Sequence, residues 1–310
     1  MLSLKQLRYF SALAETGHFG RAATLAGVSQ PALSMQIREL EHELGGPLVE
    51  RTGAGARLTE LGTEAIERAR AILAAVRDLE ELGDARAAPL TRPIRLGVIP
   101  SVAPYLLPRL LDLLSADHPR AQLVVRETIT EELTEELADG TLDAIVVSLP
   151  LDSGDFETAA SFDDSFLLAV PSDSPHADRS PALAEAIDAD ELLLLSDGHC
   201  LRDQALSVCH RIDPRRLKSF GATSLATVLQ LVAAGQGITL VPDIAVTAGV
   251  LNDPRLTLVH FARPEPYRTI GVAWRRNSPR TADFEALAKI IHRAIVPAAE
   301  DNAETEKESA

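Results

Sequence analysis

Cys200 and Cys209 are the only cysteines of the 310-residue chain, and they bracket the polar run Asp197-Gly-His-Cys-Leu-Arg-Asp-Gln-Ala-Leu-Ser-Val-Cys209. A thiol crowded by His199, Arg202 and Asp203 has the neighbours of a reactive sulfur. The thiolate is the form that attacks peroxide and nearby cations favour it, whereas a merely buried thiol needs none of them. Were the nine-residue step between the cysteines helical, their Cα atoms would stand ~13.5 Å apart along the axis, against the roughly 7 Å that a disulfide tolerates. A bond between them therefore requires the segment to refold, and would act as a conformational switch. Two other readings remain open at this point. The cysteines can be small buried hydrophobes, or His199, Cys200, Cys209 and His210 can offer four zinc ligands, although the short spacing of a zinc knuckle is missing.

Composition sets the frame for that chemistry. With 46% apolar and 24% charged residues and a mean hydropathy of +0.05, the chain belongs to the globular class, and its length suggests two or three domains. Two cysteines exclude a disulfide scaffold. No stretch approaches the ~18 apolar residues of a membrane span, and Met1 to Glu15 lacks the pattern of a signal peptide, so a cytoplasmic location is expected. Net charge is −15 overall, yet residues 1–58 carry +1 and the remainder −16. The local balance weakens an objection to phosphate binding without creating a basic patch. Residues 298–310 read as a disordered acidic tail.

The elements that would position the chemistry fall into two styles. At the start, Leu4, Leu7, Phe10 and Ala14 make one stripe of a first helix. A second helix runs from about Gly20 to Ala26 and stops at Gly27. Ser29 then caps a third helix carrying Pro31, Leu33, Ile37, Leu40 and Leu44. Helix, glycine turn and capped helix is the helix-turn-helix plan. With the leucine stripe inward, Gln30, Ser34 and Arg38 face elsewhere, and these residue types suit base edges; a solvated helix face is the plainer alternative. Pro47 to Leu58 reads as a two-stranded wing whose Arg51 and Arg57 suit phosphates. From Thr59 to about Leu82, Ala65, Ala69, Ile72, Val76 and Leu79 form a heptad seam, which predicts dimerisation rather than packing on the helix's own domain. Residues 83–93 look like a hinge.

Beyond Pro93 strands and helices alternate. Strands are expected at Ile94–Ile99, Leu123–Arg126, Ala144–Ser148, Phe166–Val170, Leu192–Leu195, Ile238–Val241 and Thr269–Trp274. Helices are expected at about 101–114, 131–139, 224–234 and 281–295. One half interrupted by another implies two lobes with a cleft. Ser101 and Thr130 each lie past a strand at a helix start; each can be a simple N-cap, or a cleft residue.

Residues Leu4 to Thr59 resemble the winged helix-turn-helix of LysR-type transcriptional regulators. The likeness rests on Leu7-Arg-Tyr-Phe10, Gly17-His-Phe-Gly-Arg-Ala-Ala23, Val28-Ser-Gln-Pro-Ala-Leu-Ser34, Ile37-Arg-Glu-Leu-Glu41, Leu44-Gly45, Arg51 and Leu58-Thr59. The larger module resembles their effector domain, whose fold is like that of periplasmic binding proteins. Within the family the chain is most similar to the hydrogen-peroxide-sensing OxyR branch. That likeness rests on Gly198-His-Cys-Leu-Arg-Asp-Gln-Ala205, Cys209, Ala222-Thr-Ser-Leu225, Val232-Ala-Ala-Gly235, Gly237-Ile-Thr-Leu240 and Glu265-Pro-Tyr-Arg-Thr-Ile-Gly271. Ser101 stands where those relatives commonly have threonine, and Ser219 where some have histidine.

The resemblance implies an α/β chain with a winged helix-turn-helix at 1–58, a linker helix and hinge at 59–92, and a two-lobed regulatory domain at 93–297. Lobe I would take about 93–163 and 268–297, and lobe II about 164–267. It further implies that Cys200 is the peroxidatic and Cys209 the resolving thiol, with Ser101, Thr130, His199, Asp203 and Arg268 lining a peroxide pocket. Ser29, Gln30, Pro31, Ser34, Gln36, Arg38, Arg51 and Arg57 would contact promoter DNA. By the same likeness the partners are hydrogen peroxide, a second copy or three more, RNA polymerase and a glutaredoxin- or thioredoxin-class reductant. The implied role is switching of antioxidant genes through a reversible Cys200–Cys209 disulfide, with no cofactor, no metal and no enzymatic turnover. A regulator gated by a small organic effector in the cleft, and a thiol peroxidase, are the rival expectations.

Overall fold

The computed structural model describes residues 1–53, 55–81, 89–151, 156–188, 190–196, 198, 200–208, 221–249 and 253–296, without the side chains of Arg51, Glu81 and Glu185. Backbone contacts divide the chain into two compact units, Met1–Arg86 with Glu135–Leu142, and Ala87–Thr134 with Asp143–Ala310.

The first unit opens with α1 (Leu4–Thr16), α2 (Phe19–Leu25) and α3 (Gln30–Leu44). Each start is capped by a side chain. Ser3 Oγ accepts from the Gln6 N–H, His18 Nδ1 from the Gly20 N–H at 3.0 Å, and Ser29 Oγ from the Ala32 N–H at 3.4 Å. Gly27 makes the turn before α3 at φ +66°, a conformation that costs glycine nothing. β1 (Val49–Thr52) and β2 (Gly55–Leu58) pair antiparallel as the wing. Leu7, Phe10, Leu13, Leu33, Ile37 and Leu40 are buried together.

The predicted stripes shift at their edges. Leu4 and Leu44 are exposed and Ala14 is only half-buried, because the core face of α1 passes through Leu13 and α3 points outward by its last turn. The following helix, α4 (Glu60–Glu81), divides its apolar residues between two faces. Ala69 belongs to the head's own core together with Ile66 and Leu73, and Ala65 packs against it, so two of the five seam residues pack within the chain. Ile72 and Leu79 stay exposed. Arg70 also pairs with Asp139 at 3.1 Å in the 135–142 segment of this unit.

The second unit contains β3 (Ile94–Val98), α5 (Ala103–Asp117), β4 (Leu123–Glu127), most of α6 (Thr130–Ala138), β5 (Ala144–Leu149) and β6 (Phe156–Pro171). After these come α7 (Cys200–Val208), α8 (Leu225–Ala233), β7 (Thr239–Pro242), α9 (Asp243–Thr247), β8 (Leu256–His260), β9 (Tyr267–Arg275) and α10 (Thr281–Ile295). The sheet order is β4-β3-β5-β9-β6-β7, with β8 also on β6. β4, β3 and β5 run parallel, and β9 closes antiparallel on β5 and β6. β6 is the shared strand. Its first part pairs with β9 and its last residues with β7 and β8.

That strand begins ten residues earlier than the predicted one, because Phe156–Ser165 alternates weakly in hydropathy and finds its ladder only against β9. The predicted strand Leu192–Leu195 is a buried segment with one bridge, Leu192 to Ile238, since its N–H and C=O groups are spent on single tethers. β8 and α9 lie in a stretch with no predicted element. No described helix is long and apolar enough to cross a membrane. Most of the proposed hinge and the acidic tail lie outside the described residues, as does Ser219.

Candidate functional site

Three parallel strands end on the same side of the sheet, and the chain leaving each carries a hydroxyl: Ser101 after β3, Thr130 after β4 and Ser148 at the end of β5. Carboxyl ends of parallel strands are where open α/β sheets bind ligands. α7 brings the thiol to this rim. The buried segment before it is tethered by Leu193 N–H to Ile238 O at 2.8 Å, Thr239 Oγ1–H to Leu193 O at 2.8 Å and Ser196 N–H to Ala222 O at 2.8 Å. Leu201 and Ala205 bury one face of α7, leaving Cys200, half-buried, at its first residue.

Cys200 Sγ lies 3.8 Å from Ser101 Oγ. Ser101 is 5% exposed and does not cap α5, whose cap residue Val102 makes no side-chain cap bond. Its hydroxyl instead accepts from Arg268 Nη1–H at 2.8 Å, while Arg268 Nη2–H donates to the Ser101 carbonyl at 3.2 Å. Arg268 is held in turn. It sits directly across from Asp164 in the β6–β9 ladder, and its Nε–H donates to Asp164 Oδ2 at 2.9 Å. The other Asp164 oxygen accepts the Ile244 N–H of α9 at 2.9 Å, and Phe166, two residues on, faces the guanidinium at 5.7 Å from ring centroid. The ion pair is 4% and 2% exposed, a charge pair worth keeping only because every oxygen and most N–H groups are used.

Gln204, one turn beyond Cys200, completes the network. Its Oε1 accepts from Arg268 Nη1–H at 3.3 Å and its Nε2–H donates to Ser148 Oγ at 2.6 Å. In front of the thiol lies a cavity of about 710 Å³ lined by Thr130, Ser148, Gly198, Cys200, Asp203 and Gln204, with Leu149, Pro150 and Leu151 on its apolar side. Thr130 Oγ1 is buried there and finds no hydrogen-bond partner among the described residues. A buried hydroxyl left in that state is the signature of a place for a small polar guest. Behind the site, Tyr105 is raised above the ordinary phenol range by burial, which outweighs the opposing Arg268 charge.

The structure thus brings Ser101, Cys200 and Arg268 into one bonded network, and Thr130 and Asp203 onto the cavity it faces. His199 and Cys209, and with them the zinc alternative's His210, lie outside the described residues. Sequence reasoning missed Asp164, Gln204 and Ser148. Asp164 carries no local signal at all, whereas Gln204 stands within the thiol run, and its fourth-residue spacing from Cys200 is the available clue.

In the first unit the third helix carries a different kind of site. Gln30, Pro31, Ser34, Met35 and Arg38 line one depression on the outer face of α3. Gln30, Pro31 and Arg38 are exposed, and no side-chain hydrogen bond or ion pair joins Gln30 or Arg38 to other described residues. Gln36 points to another side, its Nε2–H donating to Glu39 Oε2 at 2.7 Å, and the Ser29 hydroxyl serves as the helix cap. Arg57 is exposed on the wing; the Arg51 side chain lies outside the described part.

The model for the lysR-family bacterial regulatory helix-turn-helix protein matches residues 4–63, and the model for the LysR substrate binding domain matches residues 87–295. The chain belongs to the LysR family. Its architecture is that of the family, an N-terminal winged helix-turn-helix, a long linker helix and a two-lobed α/β module like a periplasmic binding protein. Among LysR-family relatives, the chain is 39% identical over 290 residues to the DNA-binding transcriptional dual regulator OxyR of Escherichia coli K12, covering 94% of this chain and 95% of that one. The structure of a cysteine-to-aspartate variant of full-length OxyR from Pseudomonas aeruginosa superimposes with a TM-score of 0.82 at 34% identity, over 96% of each chain. A hydrogen-peroxide-bound cysteine-to-serine variant of Corynebacterium glutamicum OxyR gives a TM-score of 0.66 at 36% identity, over 94% and 92% of the two chains.

Proposed function

We propose that this LysR-family regulator senses hydrogen peroxide at Cys200 and changes its hold on promoter DNA in response. The observation that carries the reading is the placement of Cys200 Sγ against the Ser101–Arg268 network, on a cavity where the buried Thr130 hydroxyl finds no partner among the described residues. The Cys200 thiolate attacks one peroxide oxygen. The S–O bond forms as the O–O bond breaks, and the departing hydroxide takes a proton to leave as water, giving a sulfenic acid. Thr130, Ser101 and Arg268 are the donors that hold the leaving oxygen, with Asp203 on the same cavity, and the OxyR likeness adds His199 to this set. The Cys209 thiolate then attacks the sulfenic sulfur, the S–O bond breaks as the S–S bond forms, and the expelled hydroxide takes a proton from solvent to leave as water. α7 is helical from Cys200 to Val208, so closure with Cys209 at the next position requires this helix to unwind.

Unwinding breaks the Gln204 bonds to Arg268 and Ser148, which releases the rim of the sheet from the thiol helix. The signal passes to the heads of a dimer or tetramer through the linker helix, whose exposed Ile72 and Leu79 offer the pairing surface. One oxidation per chain makes the event stoichiometric sensing, reset by a thioredoxin- or glutaredoxin-class reductant. Relatives named hydrogen peroxide-inducible genes activators, from Escherichia coli and Dickeya chrysanthemi, support control of antioxidant genes and contact with RNA polymerase. The test treats reduced full-length protein with micromolar peroxide, maps both thiols by mass spectrometry and footprints a selected operator before and after. A Cys200–Cys209 disulfide with a changed footprint is expected; an unmodified Cys200 overturns the reading.

The cavity favours a second reading. Its volume of about 710 Å³ and its Leu149–Leu151 wall exceed what a peroxide fills, which suits a small organic effector. In that case Cys200→Ser would still respond to the effector.

A further inference from the structure

We propose that Met35 is a base-reading residue whose thioether meets the C5 methyl of a thymine in the major groove. The inference rests on the third helix lying in the groove, as the family fold implies, and is independent of the peroxide chemistry. The chain has two methionines, and Met35 is the only one beyond the first residue. Its flexible, polarisable side chain is suited to filling irregular gaps in a core. Here it fills none, being 54% exposed while Leu33, Ile37 and Leu40 of the same helix are buried. At roughly 100° per residue, Met35 projects about 170° away from the mean direction of those three, farther from the core than Pro31, Arg38, Ser34 or Gln30. It shares with those four the depression on the outer face of α3.

The chemistry narrows the occupant. A thioether is a poor partner for a phosphate, and it cannot donate to the acceptors that crowd the groove floor. The one apolar group that a base pair presents in the major groove is the thymine methyl. Gln30, Ser34 and Arg38 supply hydrogen bonds around it, so Met35 adds the contact that polar side chains cannot make.

The experiment selects a preferred duplex from a randomised library with reduced full-length protein, then replaces each thymine in turn with uracil, which removes only the methyl. In the native protein, uracil at one position per half-site is expected to weaken binding about fourfold, the value of one buried methyl group. Met35→Ala should bind the thymine duplex about fourfold less tightly and be indifferent to uracil at that position, while Met35→Leu retains the preference. The assignment is overturned if uracil costs the native protein nothing at every position, or costs Met35→Ala as much as it costs the native chain. If Gln30→Ala and Arg38→Ala also leave affinity unchanged, the placement of α3 in the groove fails, and Met35 falls with it.

Discussion

The third helix and the thiol pocket solve opposite problems. On α3 the chemistry-bearing side chains Gln30, Met35 and Arg38 stand in solvent, and the core they ride on lies on the far side of the helix. In the pocket, Arg268, Asp164 and Ser101 are each 5% exposed or less, and the residues that address the thiol also hold β9, β6, α9 and the end of β3 together. Recognition of a large external surface can be detached from stability. A half-buried thiol held by buried polar groups cannot, because those neighbours are desolvated and must be mutually satisfied.

The sharpest break of that contrast is Cys200→Ser. It is expected to abolish the peroxide-dependent change of footprint while leaving the affinity of the reduced protein for DNA unaltered, read by titrating one operator with and without oxidant. Asp164→Asn tests the other half. Losing one partner of a buried pair is expected to cost about 3–5 kcal/mol of unfolding free energy in chemical denaturation of the full chain. A change below about 1 kcal/mol would show that the pocket is as separable from the core as the helix face is. Gln30→Ala and Arg38→Ala should weaken specific DNA binding by roughly 5- to 150-fold each with no change in melting temperature. Loss of thermal stability in either would erase the distinction from the head's side.

The smallest expected effect concerns Asp143, away from both sites. Burial raises its carboxyl, but hydrogen bonds from the Arg95 side chain and backbone, with the charges of Arg95 and Arg280, outweigh this and hold it below the usual carboxylate range. A lowered folded-state pKa gives stability that is fully present above the unfolded value near 4 and is lost as pH falls through the lower folded value. Asp143→Asn should therefore be less stable than the native chain at pH 7, with the gap closing below about pH 4 in urea titrations. A gap independent of pH would remove the charge from the explanation.

Much of the head is legible in one dimension. Ser29, Gly27 and the Leu33–Ile37–Leu40 spacing define the turn and third helix through contacts only a few residues apart, and the structure adds chiefly the direction of Met35. The linker helix shows where such reasoning stops. Its apolar period is real, but whether Ile66, Ala69 and Leu73 face another chain or α1 depends on what the fold places beside them.

Sequence by itself determined the two styles of architecture, the capped third helix, and a cysteine pair flanked by His199, Arg202 and Asp203. Those features follow from local conformational preference, periodicity and residue chemistry. Tertiary structure alone decided that Asp164 faces Arg268 across a ladder 104 residues apart in sequence, and that Ser101 holds the thiol rather than capping a helix. Register between distant strands is set by burying both faces of the sheet at once, and no window of the chain contains that constraint.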